Sequence, residues 1–418
     1  MLMIQLKYPP RYFNGLGLER YPPQLLQRAH QMFNEQVALD VPLVGETGID
    51  GVLLDFNCGL RLQIPEGNWH VRIADAQSEL VFIDADLSAV TLISMEKFYI
   101  EWEIALWFEG EPVFYHQFEP EGQRVHFVFG RAVGDSITLL PYVEQFRRTF
   151  DCEVSLSIGA NFRDIVRNYF PHIRLSKGVP EDTYATFYTM GWMYMPLATP
   201  SDVRAMPLEL FGQTILNTPK LGRPSKVIYK PTKPRKIVEP YVCIGVQASG
   251  TNKCWLTPGG WDQVVDHLKS IGYRVICIDR DRKCSGTGIT VKQPKGAEDF
   301  SGNYTLLDRI NQLAYADFFI GVSSGLAWLA WSVDIPVVLI SAVTETWYEF
   351  DTPYRISNPL MCHGCFNDLS VHCMHIADCV RYKGTPRMYE CLRSISARQV
   401  ISAIDQLIAD QKSMGGST

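Results

Sequence analysis

Residues 361–391 hold five of the chain's 11 cysteines, Cys362, Cys365, Cys373, Cys379 and Cys391, with His363, His372 and His375 among them. Cys362-x-x-Cys365 is the spacing at which two thiolates on one turn reach a single metal ion. With one thiol further along at Cys379 and another at Cys391, the four make a tetrahedral thiolate set that suits iron or zinc. Spacing alone leaves Cys373, His372 or His375 open as a substitute ligand. A closed set has no position for water, so its role is structural, pinning a loop that few apolar side chains hold. A redox switch would need an exposed thiol of low pKa beside a resolving partner, and a disulfide staple an oxidising compartment.

Three loops elsewhere carry residues suited to a nucleotide diphosphate and a proton transfer. In "FGRAVGDS", Gly130 and Gly134 allow a tight turn, and Asp135 is either a general base or the cap of a helix starting near Ile137. In "GVSSGLAW", small Ser323, Ser324 and Gly325, followed by Leu326, open a helix whose free amides form an anion site, unless Ser324 is a plain cap. In "QASGTNKCW", Ser249, Thr251 and Lys253 follow a strand, and the lysine is placed to neutralise a diphosphate. The chain has neither G-x-G-x-x-G nor G-x-x-x-x-G-K-[ST] after these strands, so dinucleotide and P-loop chemistry are not supported. Asp-x-Asp occurs at Asp84–Asp86, outside the α/β region, and no catalytic divalent metal is expected.

These loops need a scaffold. Residues 50–120 run as successive strands, "GVLLDF", "LRLQI", "WHVRIAD", "ELVFIDADL", "KFYIEWEIALWF" and "PVFYHQF", and predict a small antiparallel barrel or sandwich over 1–120, preceded by a helix in "YPPQLLQRAHQMFNEQV". From Arg124 strand and helix alternate, which predicts a Rossmann-like lobe over 121–225. "TPKLGRPSKVIYKPTKPRKIVEP" is Pro-rich and basic and reads as a connecting strap or a solvated surface. A second alternating lobe spans 226–355, the cysteine segment 356–395, and an amphipathic helix with a short tail 396–418. The expected fold class is α/β: a two-lobed molecule with a cleft between the lobes, an N-terminal all-β domain and a Cys-rich metal finger. With 46% hydrophobic and 20% charged residues among 418 and a net charge of −6, the chain is globular and poorly suited to nucleic acid. No signal peptide or spanning stretch is evident, which predicts a cytoplasmic protein without membrane insertion.

Together "VGDSITLLPYVEQF", "GVQASGTNKCW", "GVSSGLAWLAW", "ISAVTETWYEF" and "CHGCFND…KGTPRMYEC" resemble, in that order, the bacterial autotransporter heptosyltransferases of the heptosyltransferase superfamily, over about residues 50–395. The resemblance implies the GT-B architecture and transfer of heptose from ADP-heptose to serine hydroxyls of an autotransporter adhesin passenger in the cytoplasm. It implies that Asp135, beside Gly134, is the general base, and that Lys253 and the Ser324–Gly325 turn hold the ADP diphosphate. It also implies iron at Cys362, Cys365, Cys379 and Cys391, with Cys373 left out, and rings of twelve subunits. The stretch departs from the family pattern at Arg131 and Thr138, which bears on the shape of the acceptor side. Two other readings compete: a lipopolysaccharide-type heptosyltransferase, which needs neither the N-terminal domain nor the finger, and a non-catalytic nucleotide-binding metal-knuckle protein.

Overall fold

The computed structural model describes residues 2–6, 42–130, 132–189, 200–286, 288–370 and 379–415. The expected N-terminal helix, Arg131, His372, Cys373, His375 and the last three residues lie outside them.

Apolar runs bounded by turn residues become the strands of the second lobe. Tyr241–Gly245, Phe319–Val322 and Val337–Ile340 are buried at every position, as strands covered on both faces must be. Six parallel strands follow the order Glu298–Asp299, Arg274–Cys277, Tyr241–Gly245, Phe319–Val322, Val337–Ile340, Arg355–Ile356. In chain order this is 3-2-1-4-5-6, the doubly wound arrangement whose ligands sit beyond the carboxyl ends of the strands. Helices Gly260–Ser270, Leu306–Leu313 and Gly325–Ser332 cover it, and Thr305 caps the second by accepting the Asp308 N–H. The C-terminal helix Ala397–Gly415 packs Val400, Ile404 and Leu407 into the outer core of this lobe.

The first lobe has parallel strands in the order Arg174–Leu175, Glu153–Ser157, Arg124–Val128, Ala185–Tyr188. Its sheet does not stop there. Leu53–Asn57 pairs in parallel with Ala185–Tyr188, and Arg61–Ile64, Val90–Ser94 and Leu2–Leu6 extend the same sheet to eight strands. The N-terminal strands therefore do not close into a separate barrel. An edge beside Ala185–Tyr188 would expose unpaired backbone groups, and the N-terminal segment covers it. Of the described N-terminal strands, Leu80–Leu87, Trp69–Asp75, Trp102–Phe108 and Glu111–Gln117 form an antiparallel sheet of their own.

The Pro-rich strap at 218–240 holds no helix or strand and is clipped to the second lobe. Asn311 Oδ1 accepts the Thr232 and Lys233 N–H groups, Lys233 pairs with Asp308 and Lys226 with Asp334, and Tyr229 is buried against Ser332. Its basic charge is thus partly matched by carboxylates of the adjoining lobe. No helix among the described residues is long and apolar enough to cross a membrane.

Candidate active site

The two lobes meet where two helices begin. Helix Val133–Thr149 follows the strand Arg124–Val128, and helix Gly325–Ser332 follows Phe319–Val322. A Cβ on Gly134 would stand 2.9 Å from Trp328 Cδ1, and one on Gly325 would stand 2.5 Å from Val133 Cβ. Both are closer than real Cβ atoms approach other atoms, so glycine is needed at both positions for the helices to come together. Two helix N-termini, each with unsatisfied N–H groups and a partial positive charge, are thereby brought to one place.

Asp135 sits in the first turn of its helix, which begins at Val133 rather than near Ile137. The cap position belongs to Ala132, and no side chain caps this end. The cap reading of Asp135 is therefore replaced: its side chain forms no hydrogen bond or ion pair with any described residue, and only its carbonyl is engaged, by Thr138 Oγ1 at 3.0 Å. Burial pushes the Asp135 carboxyl above its ordinary range, while the charge of Lys253 pulls it back down. A carboxylate held near a lysine, raised in pKa and without a partner among the described residues is equipped to take a proton from a ligand hydroxyl.

Lys253 ends a short 3-10 turn, Thr251–Lys253, after the strand Tyr241–Gly245. It forms no ion pair among the described residues, and its Nζ lies over the Phe366 ring, 5.9 Å from the centroid. Thr251 is buried and donates its hydroxyl to the Gly286 carbonyl at 2.9 Å, which ties this loop to the hairpin Lys283–Gly286 and Ile289–Lys292. Ser249 lies exposed on the same loop.

In the other loop, Ser324 holds the cap position of Gly325–Ser332 with no side-chain cap bond. Its Oγ is buried and lacks a hydrogen-bond partner among the described residues. A buried hydroxyl left so is costly unless a ligand completes it. Ser323 instead donates to the buried carboxylate of Glu349. Glu349 also accepts from Ser341 and Thr344 at 3.0 Å each and pairs with Arg355 at 2.9 Å. Leu326 is half-buried beside Gly245, a packing position. Asp135, Gly134, Lys253, Ser324 and Gly325 thus share one region, while Thr251 and Ser323 brace its loops.

The sequence reading missed Tyr348, Glu349 and Phe366. Burial and the Asp135 charge drive the Tyr348 phenol well above its usual range, so it stays neutral beside the carboxylate. Its carbonyl accepts the Leu208 N–H of the first lobe at 2.8 Å. Nothing in the local pattern of "TWYEF" or "CFND" singles these residues out; their positions beside the site arise from tertiary contact.

In the cysteine segment, Gly364 adopts φ +63° within the Cys362–Cys365 turn, the left-handed backbone that glycine accepts. Arg381 Nη1 donates to Cys362 Sγ at 3.6 Å, and the Tyr389 N–H donates to Cys379 Sγ at 3.5 Å. Burial, aided by the negative charge of the neighbouring sulfurs, pushes the Cys365 thiol up to about 11 and the Cys391 thiol up to about 12. The sulfurs of Cys362, Cys365, Cys379 and Cys391 are therefore near enough to repel one another's ionisation. As placed, no group of three or more Cys, His, Asp or Glu among the described residues converges tightly enough to hold a metal ion. The donor chemistry of the four thiols nevertheless suits a thiophilic ion. The six other described cysteines are free, five of them buried.

Residues 48–110 match the family "Glycosyltransferase TibC, N-terminal domain", and residues 220–356 match "Glycosyltransferase family 9 (heptosyltransferase)". The fold is that of a glycosyltransferase related to family 9. The autotransporter heptosyltransferase TibC of Escherichia coli O78:H11 is 36% identical over 87% of this chain and 91% of its own length. BAHTCr of Citrobacter rodentium is 36% identical over 88% and 92%. A crystal structure of TibC, an iron-containing dodecameric glycosyltransferase, superposes with a TM-score of 0.81 at 34% identity, covering 89% of this chain and 99% of that one. A second TibC structure, in complex with ADP-D-beta-D-heptose, also gives 0.81. The chain belongs to the autotransporter heptosyltransferases, a family of glycosyltransferases. One relative, BimC of Burkholderia thailandensis, is 31% identical over 85% of this chain and is named an inactive autotransporter heptosyltransferase. Turnover therefore depends on this chain's own side chains.

The close approach at Gly325 gives a test. Gly325→Ala should separate the helices and lower both ADP affinity and turnover at least about tenfold, an expected loss of about 1.4 kcal/mol or more. Gly178→Ala, where a Cβ meets nothing within 4 Å, should change neither. Calorimetric titration with ADP checks both variants.

Proposed function

We propose that this chain transfers heptose from ADP-heptose to serine hydroxyls of an autotransporter adhesin passenger in the cytoplasm, with Asp135 as general base. The observation that carries the reading is the raised carboxylate of Asp135, without a hydrogen-bond or ion-pair partner among the described residues, beside Lys253 at the place where two helix N-termini meet. A serine hydroxyl is a poor nucleophile near neutral pH, and a carboxylate in hydrogen-bond reach removes its proton as the new bond forms. The departing ADP gathers negative charge, which Lys253, the Ser324 Oγ (unpaired among the described residues) and the amides opening Gly325–Ser332 would receive. This charge is met without a divalent cation. The match of residues 48–110 to the TibC N-terminal domain favours a passenger protein as acceptor over a lipid sugar.

The finger reading extends the same way. TibC is iron-containing and dodecameric, and we assign iron here to Cys362, Cys365, Cys379 and Cys391, with zinc as the alternative, and expect the large ring assembly. Bound there, the ion would cancel the mutual repulsion of the thiolates and fix the loop, a structural contribution. The inactive relative supports a second reading, a nucleotide-binding protein without turnover.

Incubation with ADP-heptose and a passenger fragment, followed by intact-mass measurement, should show heptose-sized additions that persist in EDTA. No addition in any condition favours the second reading, and a loss in EDTA that magnesium restores contradicts the metal-free mechanism. Because Asp135 must be ionised to act and burial raises its pKa, kcat/KM should rise with pH along a limb lying above the ordinary aspartate value of about 4. A limb at or below that value would place the base elsewhere.

Metal content per chain tests the finger. Serine at Cys362, Cys365, Cys379 or Cys391 should each empty the site and promote aggregation, whereas Cys373→Ser should retain the ion. A Cys373→Ser protein without metal alongside a loaded Cys379→Ser protein reverses the assignment.

A further inference from the structure

The cysteine turn reaches the donor site through the residue that follows it. Phe366, 7% exposed, packs its ring against Tyr348 at 4.9 Å between centroids, and Lys253 Nζ stands 5.9 Å from the same ring. The turn carrying Phe366 is fastened on two sides. Gly364 and Phe366 donate their N–H groups to the Ala342 and Val343 carbonyls at 2.9 and 2.8 Å. Asn367 accepts the Glu345 N–H at 2.8 Å and donates to the Arg204 carbonyl at 2.7 Å. Arg204 is fully buried and paired with Asp202 at 2.8 Å, so this anchor belongs to the interior.

We propose that Phe366 is a positioning residue whose ring face holds the Lys253 ammonium where it meets the donor diphosphate, making the cysteine turn a support of the donor site. The inference rests on the assignment of Lys253 to the diphosphate. An ammonium within about 6 Å of an aromatic centroid is attracted by the negative ring face. Lysine has a long flexible stem, and among the described residues no carboxylate within ion-pair distance restrains Lys253. Beyond the longer-range pull of Asp135, the Phe366 ring is thus, among the described residues, the group whose contact limits where its ammonium rests. Leucine would keep much of the apolar contact while removing the ring face.

The test uses the full-length, metal-loaded protein, with wild type, Phe366→Leu, Phe366→Tyr, Lys253→Ala and the Phe366→Leu/Lys253→Ala double variant. Titration with ADP, donor KM and kcat, metal per chain and melting temperature are measured for each. Phe366→Leu should weaken ADP binding and raise donor KM by about 3–10-fold, with kcat within about twofold of wild type and metal content unchanged. Phe366→Tyr should restore both values. In the Lys253→Ala background, Phe366→Leu should cause no further weakening, because the two side chains act as one unit. The proposal is overturned if Phe366→Leu binds ADP like wild type, if it weakens binding equally in both backgrounds, or if Phe366→Tyr fails to recover. If Lys253→Ala itself binds ADP like wild type, the diphosphate assignment falls and this inference with it. A loss in Lys253→Ala with a neutral Phe366→Leu overturns the inference alone.

Discussion

The site depends on the packing of one helix start against another across the two lobes. Gly134 lies under the Trp328 ring and Gly325 against Val133, and at each position a single methyl group would force the helices apart. Interiors are close-packed and yield little to added volume, so this contact fixes the separation of the lobes. It also sets the electrostatics. Two helix N-termini converge on one place, where Asp135 carries a negative charge and Lys253 a positive one. The carboxylate stays basic because burial outweighs the attraction of the lysine.

A shell of buried polar groups keeps these elements in register. Glu349 gathers Ser323, Ser341, Thr344 and Arg355, joining the loops that follow two adjacent strands. Asp279, with its carboxyl raised to about 6 by burial, accepts the Val246 and Gln247 N–H groups at the start of the Lys253 loop. On the far side, Arg204, Asn367 and Asp368 connect the interior to the cysteine turn, and Arg381 joins Asp368 to Cys362 and the His363 carbonyl. Satisfied networks of this kind hold a single arrangement, and losing one partner leaves the others buried and unpaired.

Much of the scaffold was legible because its strands are covered on both faces and read as unbroken apolar runs, Tyr241–Gly245 and Val337–Ile340 among them. The placement of Asp135, Lys253 and Ser324 was legible because each follows such a strand, where ligands of doubly wound sheets bind. The pairing of Leu53–Asn57 with Ala185–Tyr188 was not, since it joins segments distant in the chain with no local signature. Val90–Ser94 is absent from the expected strands; it is a short run that follows Ala89, whose φ of +51° makes a tight turn. The helix bearing Asp135 starts earlier than its propensities suggest: valine and glycine are poor openers, and contact with Trp328 and Gly325 overrides them. Phe366 and Glu349 gain meaning only from what the fold places beside them.

The central claim is that Asp135 removes the acceptor proton and does little else. Its most direct test is Asp135→Asn, a near-isosteric change, followed by intact mass of a passenger fragment with ADP-heptose and by calorimetric titration with ADP. Heptose addition should fall at least about 10²-fold while ADP affinity stays within about twofold of wild type. An asparagine variant that adds heptose at near-normal rate, or that loses ADP binding together with turnover, contradicts the assignment.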